Sequence, residues 1–270
     1  MIGEKGKGSI ENNVISGNSG CGVWVTTACQ PMIHGNQINN NGDNGITFVN
    51  KTDLSHEGET INVDIGEMAS QRSIQMWQYF NDEQPPPRRT CTRATVEYNS
   101  IYHNNGCGLK SQFGDELIIQ CNAVHGNRRD GIFLNQNSPV LVKNNSITCN
   151  SGNGIITDNQ GKIKIEGNGV YDNRDHGITC QSEVIIEDND IVGNQRSAIQ
   201  LDNNLFIKVA KNRIHSQSDK AIVLVAVSEG HVNDNALFKG QSDPVMFSAD
   251  CKCTVKNNIT VEVDAKQKTR

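Results

Sequence analysis

The sequence predicts an all-β fold, a right-handed parallel β-helix of about ten coils of 23 residues with one long inserted loop. The first observation is a recurring asparagine, placed three residues after an Ile or Val at Asn13, Asn36, Asn99, Asn122, Asn145, Asn168, Asn189, Asn212, Asn235 and Asn258. The intervals are 23, 63, 23, 23, 23, 21, 23, 23 and 23 residues, and 63 is one repeat of 23 plus an insertion of 40. A fixed period in this range belongs to stacked units that bury little alone and much together. The second observation is that apolar residues alternate by two and stop after four or five positions, the period of a short strand. Helical repeats need a 3.6-residue apolar period over ten or more residues, and none is present.

Each repeat supplies three strands. The first carries Leu117/Ile119, Val140/Val142, Ile163/Ile165, Val184/Ile186 and Ile207/Val209 inward. The second places Ile15, Ile38, Ile101, Val124, Ile147, Val170, Ile191, Ile214 and Leu237 inside, each two residues after a ladder Asn. The third supplies Val23, Ile46, Leu109, Ile132, Ile155, Ile178, Ile199, Ile222 and Val245, followed two residues later by Val25, Phe48, Leu134, Cys180, Leu201, Leu224 and Phe247. β-Branched and aliphatic residues suit these half-buried strands.

The corners are polar. A second asparagine column runs through Asn18, Asn41, Asn104, Asn127, Asn150, Asn173 and Asn194. Asn tolerates the left-handed backbone of a tight bend, and its amide can bond the same amide one coil away, about 4.8 Å along the axis. Both columns are therefore structural ladders. Gly22, Gly45, Gly108, Gly131, Gly154 and Gly177, then Ala198 and Ala221, precede the third strand, where backbone freedom and a missing side chain suit the turn.

The organisation is coils over 1–49, an insertion over 50–92, coils over 93–264 and a tail over 265–270. Ile2 stands eight residues before Ile10, as Val25 does before Ile33, so the chain is expected to open partway through a coil, as a fragment or short isoform of a longer β-helix. Toward the other end Gln217, Gly240 and Pro244 replace repeat residues, as at a terminus. The insertion gathers Trp77, Tyr79 and Phe80 in a chain of only 5% aromatic residues. A disordered side loop, a docking segment for a partner and a cap on the helix flank all fit it.

A formal charge of −5, from 25 basic and 30 acidic interspersed residues, offers no basic stripe for nucleic acid. No apolar leader and no membrane-spanning stretch is present, so the expected location is cytoplasmic, with the nucleus also open to it. The nine cysteines lack a disulfide framework or a zinc spacing, and no cofactor is expected.

Carboxylate chemistry needs acidic groups converging from adjacent coils. Asp158 and Asp202 share a column but Gln181 separates them by two coils, roughly 9.6 Å. Asp43, Asp175 and Asp219 share another, interleaved with Gly and Arg. Of the seven histidines only His125 and His215 share a column, and His176 beside Asp175 occupies a corner expected to meet solvent. No catalytic or metal residue is predicted. One outer column, Tyr102, His125, Thr148, Tyr171, Val192, His215 and Phe238, makes a partly aromatic stripe and a candidate partner-binding surface.

The segment Lys5-Gly6-Lys7-Gly8-Ser9-Ile10-Glu11-Asn12-Asn13-Val14-Ile15, with Gly22-Val23-Trp24-Val25-Thr26-Thr27 and Pro31, resembles the β-helix coils of the F-box only proteins of the ten and eleven type. The match is close over about the first 50 residues, and the rest follows the generic repeat. The resemblance implies the substrate-recognition β-helix of an F-box subunit in a Skp-cullin-F-box ubiquitin ligase, a non-catalytic adaptor that holds a protein substrate. No F-box segment is in the chain, so Skp adaptor and cullin would be reached only through a part not included here. Two alternatives stand beside it: a carbohydrate-active, pectinase-like β-helix enzyme, and a cytoskeletal or cell-division scaffold.

Overall fold

A computed structural model describes residues 1–3, 6–26, 29–49, 93–112, 116–135, 138–158, 161–215, 219–239 and 243–262. The insertion over 50–92, with Trp77, Tyr79 and Phe80, lies outside the described residues.

Three parallel sheets wind round one core. The first sheet stacks ten strands from Ser9–Glu11 to Cys253–Lys256, the second ten from Val14–Ser16 to Ile259–Glu262, and the third nine from Val23–Thr26 to Val245–Phe247. Each strand pairs with the equivalent strand one coil away, so Leu117 faces Val140, Val140 faces Ile163 and Ile163 faces Val184. The inward columns are buried as the alternation predicts, with Ile119, Ile147 and Ile155 at 0% exposure. Full burial of one such side chain is worth about 1.5–3 kcal/mol, and stacking repeats that gain coil after coil. Phe247 departs from its expected inward place and is 59% exposed. It lies on the last strand of the third sheet, which has a neighbour on one side only.

Both asparagine ladders form. Asn99 donates from its backbone N and from Nδ2 to Asn122 Oδ1, both at 3.0 Å, and Nδ2 also reaches Glu97 O and Ile33 O at 3.0 and 2.8 Å. The second ladder repeats the pattern, with Asn127 Nδ2 on Asn150 Oδ1 at 3.0 Å and on Ile101 O at 3.2 Å. Buried amides thus have the partners that burial requires.

Two corner expectations are corrected. The left-handed residue is the one before the ladder Asn, as at Cys121 (φ 55°) before Asn122 and Cys149 (φ 54°) before Asn150. That bend turns the next side chain along the axis, where it can find the amide above. The corner glycines are also not left-handed: what they need is space. A Cβ on Gly131 would stand 2.5 Å from Ile147 Cγ2, 2.6 Å from Gly154 O and 2.9 Å from Asn150 Nδ2.

Candidate functional site

The prism has three outer faces, and their chemistry differs. On the first sheet the outward charges pair among themselves: Lys143 with Glu166 at 3.3 Å, Lys164 with Glu187 at 3.5 Å and Lys208 with Glu187 at 2.5 Å. On the third, Lys110 Nζ stands 5.6 Å from the Phe133 ring centroid. Asp202 there is held by its own strand, with Gln200 Nε2 on both carboxylate oxygens at 3.1 Å. Asp158 and Asp202 keep their separation of two coils, with position 181 between them in register.

The corner leading into the third sheet holds a polar chain. Asn153 donates from N and Nδ2 to Asp130 Oδ1 at 2.8 and 2.9 Å, and Ser197 Oγ donates to Asp219 Oδ2 at 3.2 Å. Asp175 Oδ1 meets Arg196 Nε at 3.1 Å and His176 Nε2 at 3.6 Å, as charge contacts without hydrogen-bond alignment. His176 does not meet solvent as expected. Its side chain is 15% exposed, because the corner folds round it. Burial, aided by Arg196, lowers its pKa against the pull of Asp175 and Asp219. The ring is enclosed and offers little to a ligand.

The second sheet is different. Its register places Tyr102, His125, Thr148, Tyr171, Val192 and His215 in one outward column, and the Tyr102 and His125 rings stack at 5.0 Å with 3° between planes. His215 and Phe238 approach at 5.1 Å. The stripe is thus two ring groups flanking Tyr171, with Thr148 and Val192 as smaller steps. His103, not singled out in the sequence, packs edge-on to both Tyr102 and His125, at 5.3 and 6.0 Å. Its signal was the left-handed position next to Tyr102, which swings a corner side chain onto the face.

Beside Tyr171 a second outward column brings in two residues that the sequence did not single out. Asp190 Oδ2 accepts the Tyr171 hydroxyl at 3.0 Å and Arg213 Nη2 at 2.6 Å. Asp190 Oδ1 is buried without a hydrogen-bond partner. Burial and the Asp190 contact raise the Tyr171 pKa, so the phenol stays protonated. Burial, then Arg213 two residues away, lowers that of His215 and favours the neutral imidazole. Arg213 keeps 55% of its side chain exposed. A protonated phenol, a neutral imidazole and an accessible guanidinium therefore share one face, with the phenol and the guanidinium held by one carboxylate. Among the described residues no group of His, Cys, Asp and Glu has a metal-holding arrangement, and the described cysteines are free thiols.

Fold and repeat define a parallel β-helix protein. The chain belongs to the right handed beta helix region family, whose model matches residues 1–66 and 89–237. No curated protein matches it in sequence. Among solved structures it is similar to the periplasmic alginate epimerase AlgG, with a TM-score of 0.59 and 14% identity over 89% of this chain and 61% of that one. It is also similar to the A-module of the Azotobacter vinelandii mannuronan C-5 epimerase AlgE4, with a TM-score of 0.63 and 12% identity over 93% of this chain and 77% of that one. The chain spans about three fifths of the alginate epimerase, and at such identities the likeness shows the fold. The F-box expectation does not stand: the family matched is that of the β-helix alone, and the two solved chains named above that share this fold are epimerases. The expectation of a non-catalytic adaptor falls with it.

Proposed function

We propose that this chain is a carbohydrate-active β-helix enzyme working on a linear acidic polysaccharide, at the second-sheet face formed by Tyr171, Asp190, Arg213 and His215. The observation that carries the reading is Asp190 Oδ2 holding the Tyr171 hydroxyl and Arg213 Nη2 together, at 3.0 and 2.6 Å, beside His215. Removing a proton from the carbon next to a carboxylate is helped by a cation on that carboxylate and needs a base that is unprotonated at working pH. Arg213 presents the planar donors that fit a carboxylate. His215 supplies the base. Tyr171 stays protonated and stands two coils from His215, roughly 9.6 Å, with Val192 as the floor between them.

Delivering a proton from solvent to the opposite face of the same carbon epimerises the sugar, and expelling the neighbouring glycosidic oxygen, which takes up a proton from solvent as it leaves, cleaves the chain by elimination. Both begin with the same step. Solved chains of this fold that act as epimerases of alginate and mannuronan support a substrate of this type. The test is incubation of the pure protein with polymannuronate and with polygalacturonate. Proton NMR reads new epimers and ultraviolet absorbance reads unsaturated chain ends. Neither product from either polymer would remove the reading.

A further inference from the structure

Gly169 and Tyr171 are two residues apart on one strand, Gly169–Tyr171, and so face the same way. A Cβ on Gly169 would stand 2.5, 2.6 and 2.7 Å from Tyr171 Oη, Cε2 and Cζ. These distances put the point off the ring plane at the hydroxyl end, on the Cε2 side, and not over the ring centre. The phenol side chain therefore lies along the strand over bare backbone, with its hydroxyl end above Gly169, one side of the tilted ring turned toward that glycine and the other turned outward.

The ring is also tethered at its far end. Asp190 pairs with Gly169 in register, Arg213 pairs with Asp190, and the carboxylate takes both the hydroxyl and the guanidinium. Glycine below and carboxylate beyond thus fix a flat aromatic surface next to a half-exposed arginine. Neither alone would do so, since any side chain at 169 would lift the ring.

We propose that the outward face of Tyr171 is a stacking platform for a pyranose ring of the polymer, a subsite beside the reacting sugar, with Gly169 as the residue that makes it possible. A pyranose has a face of C–H bonds whose positive edge suits the negative face of an aromatic ring. Its carboxylate or hydroxyl groups then come within reach of Arg213. The platform sets where the chain lies and leaves the proton transfer to other groups. It rests on the reading of the protein as polysaccharide-active.

The experiment measures binding without turnover. An oligomannuronate is titrated by calorimetry into the His215→Gln protein and into that protein further changed at the platform. Tyr171→Ala and Gly169→Ala should each weaken binding about tenfold, with thermal unfolding checked to confirm the fold, while Tyr171→Phe should keep most of the affinity. Unchanged binding in Tyr171→Ala would overturn the platform alone. So would a Tyr171→Phe protein as weak as Tyr171→Ala, because the hydroxyl would then be the binding group. If the His215→Gln protein binds no oligouronate, the platform and the functional reading fall together.

Discussion

Asn36 and Asn99 are separated by 63 residues of chain and by a single coil in space: Asn36 Nδ2 donates to Asn99 Oδ1 at 3.0 Å, the same distance as between Asn99 and Asn122. The ladder crosses the insertion without a change in spacing. Truncation of Asn99 should therefore be costly, since Asn36 N and Nδ2 would lose their acceptor and Glu97 O and Ile33 O their donor. Asn99→Ala is expected to destabilise by roughly 3 kcal/mol, measured by urea denaturation, with the increase in amide exchange confined to neighbouring coils.

Cutting the 50–92 connection to the length of the link between Gln112 and Glu116 should leave the ladder intact. Loop-closure cost changes slowly with length, so unfolding free energy should change by no more than about 2–3 kcal/mol. Loss of cooperative unfolding in the shortened protein would contradict this.

Gly131 lacks room for a methyl group, whereas Ala198 occupies the equivalent corner two coils beyond Gly154. Gly131→Ala should cost about 1–3 kcal/mol through displaced Ile147 and Asn150. Ala198→Gly should cost about 1 kcal/mol or less. Paired denaturation curves separate space from backbone freedom, since freedom would make the two changes symmetrical.

The repeat, its three strands and both ladders were legible in the sequence because each depends on one residue type recurring at one place. The Ile column that includes Ile147 needs no more than alternation. The left-handed position was misassigned for a physical reason: the bend accepts Cys121, Asp188 or Lys211 as well as Gly35, so no single residue type marks it. The site was half legible. Tyr171 and His215 stood out as rings in a polar chain, but Asp190 and Arg213 read as ordinary surface charges. Their value lies in meeting across coils, and only the register supplies that.

Stability should fall on acidification through the histidine range. His125, His176 and His215 are all pushed below the ordinary imidazole value, with burial the first cause in each. Below about pH 6.5 the unfolded chain binds protons at these positions that the folded chain does not, so stability is present above that pH and declines as pH falls toward the folded values. Thermal unfolding temperature should drop between pH 7.5 and 5, and less steeply in His176→Gln. A slope unchanged by that substitution would assign the effect to other groups.

Arg213→Ala should lower kcat/KM on an acidic polymer about a hundredfold, with Arg213→Lys only partly restoring it, because the ammonium cannot present the same planar donors. The acid limb of the activity profile should lie below the ordinary imidazole value, since burial and Arg213 lower the His215 pKa. An acid limb at or above pH 7 would exclude His215 as the base.

Proton transfer at a carbon next to a carboxylate is read most directly by solvent isotope exchange. Polymannuronate is incubated with the protein in D2O, and deuterium at C5 is followed by NMR. Incorporation by the wild type, lost in His215→Gln at unchanged thermal stability, is the predicted result. Incorporation that continues in His215→Gln, or a wild type that gives neither C5 exchange nor unsaturated chain ends with any acidic polysaccharide, would exclude this proton transfer.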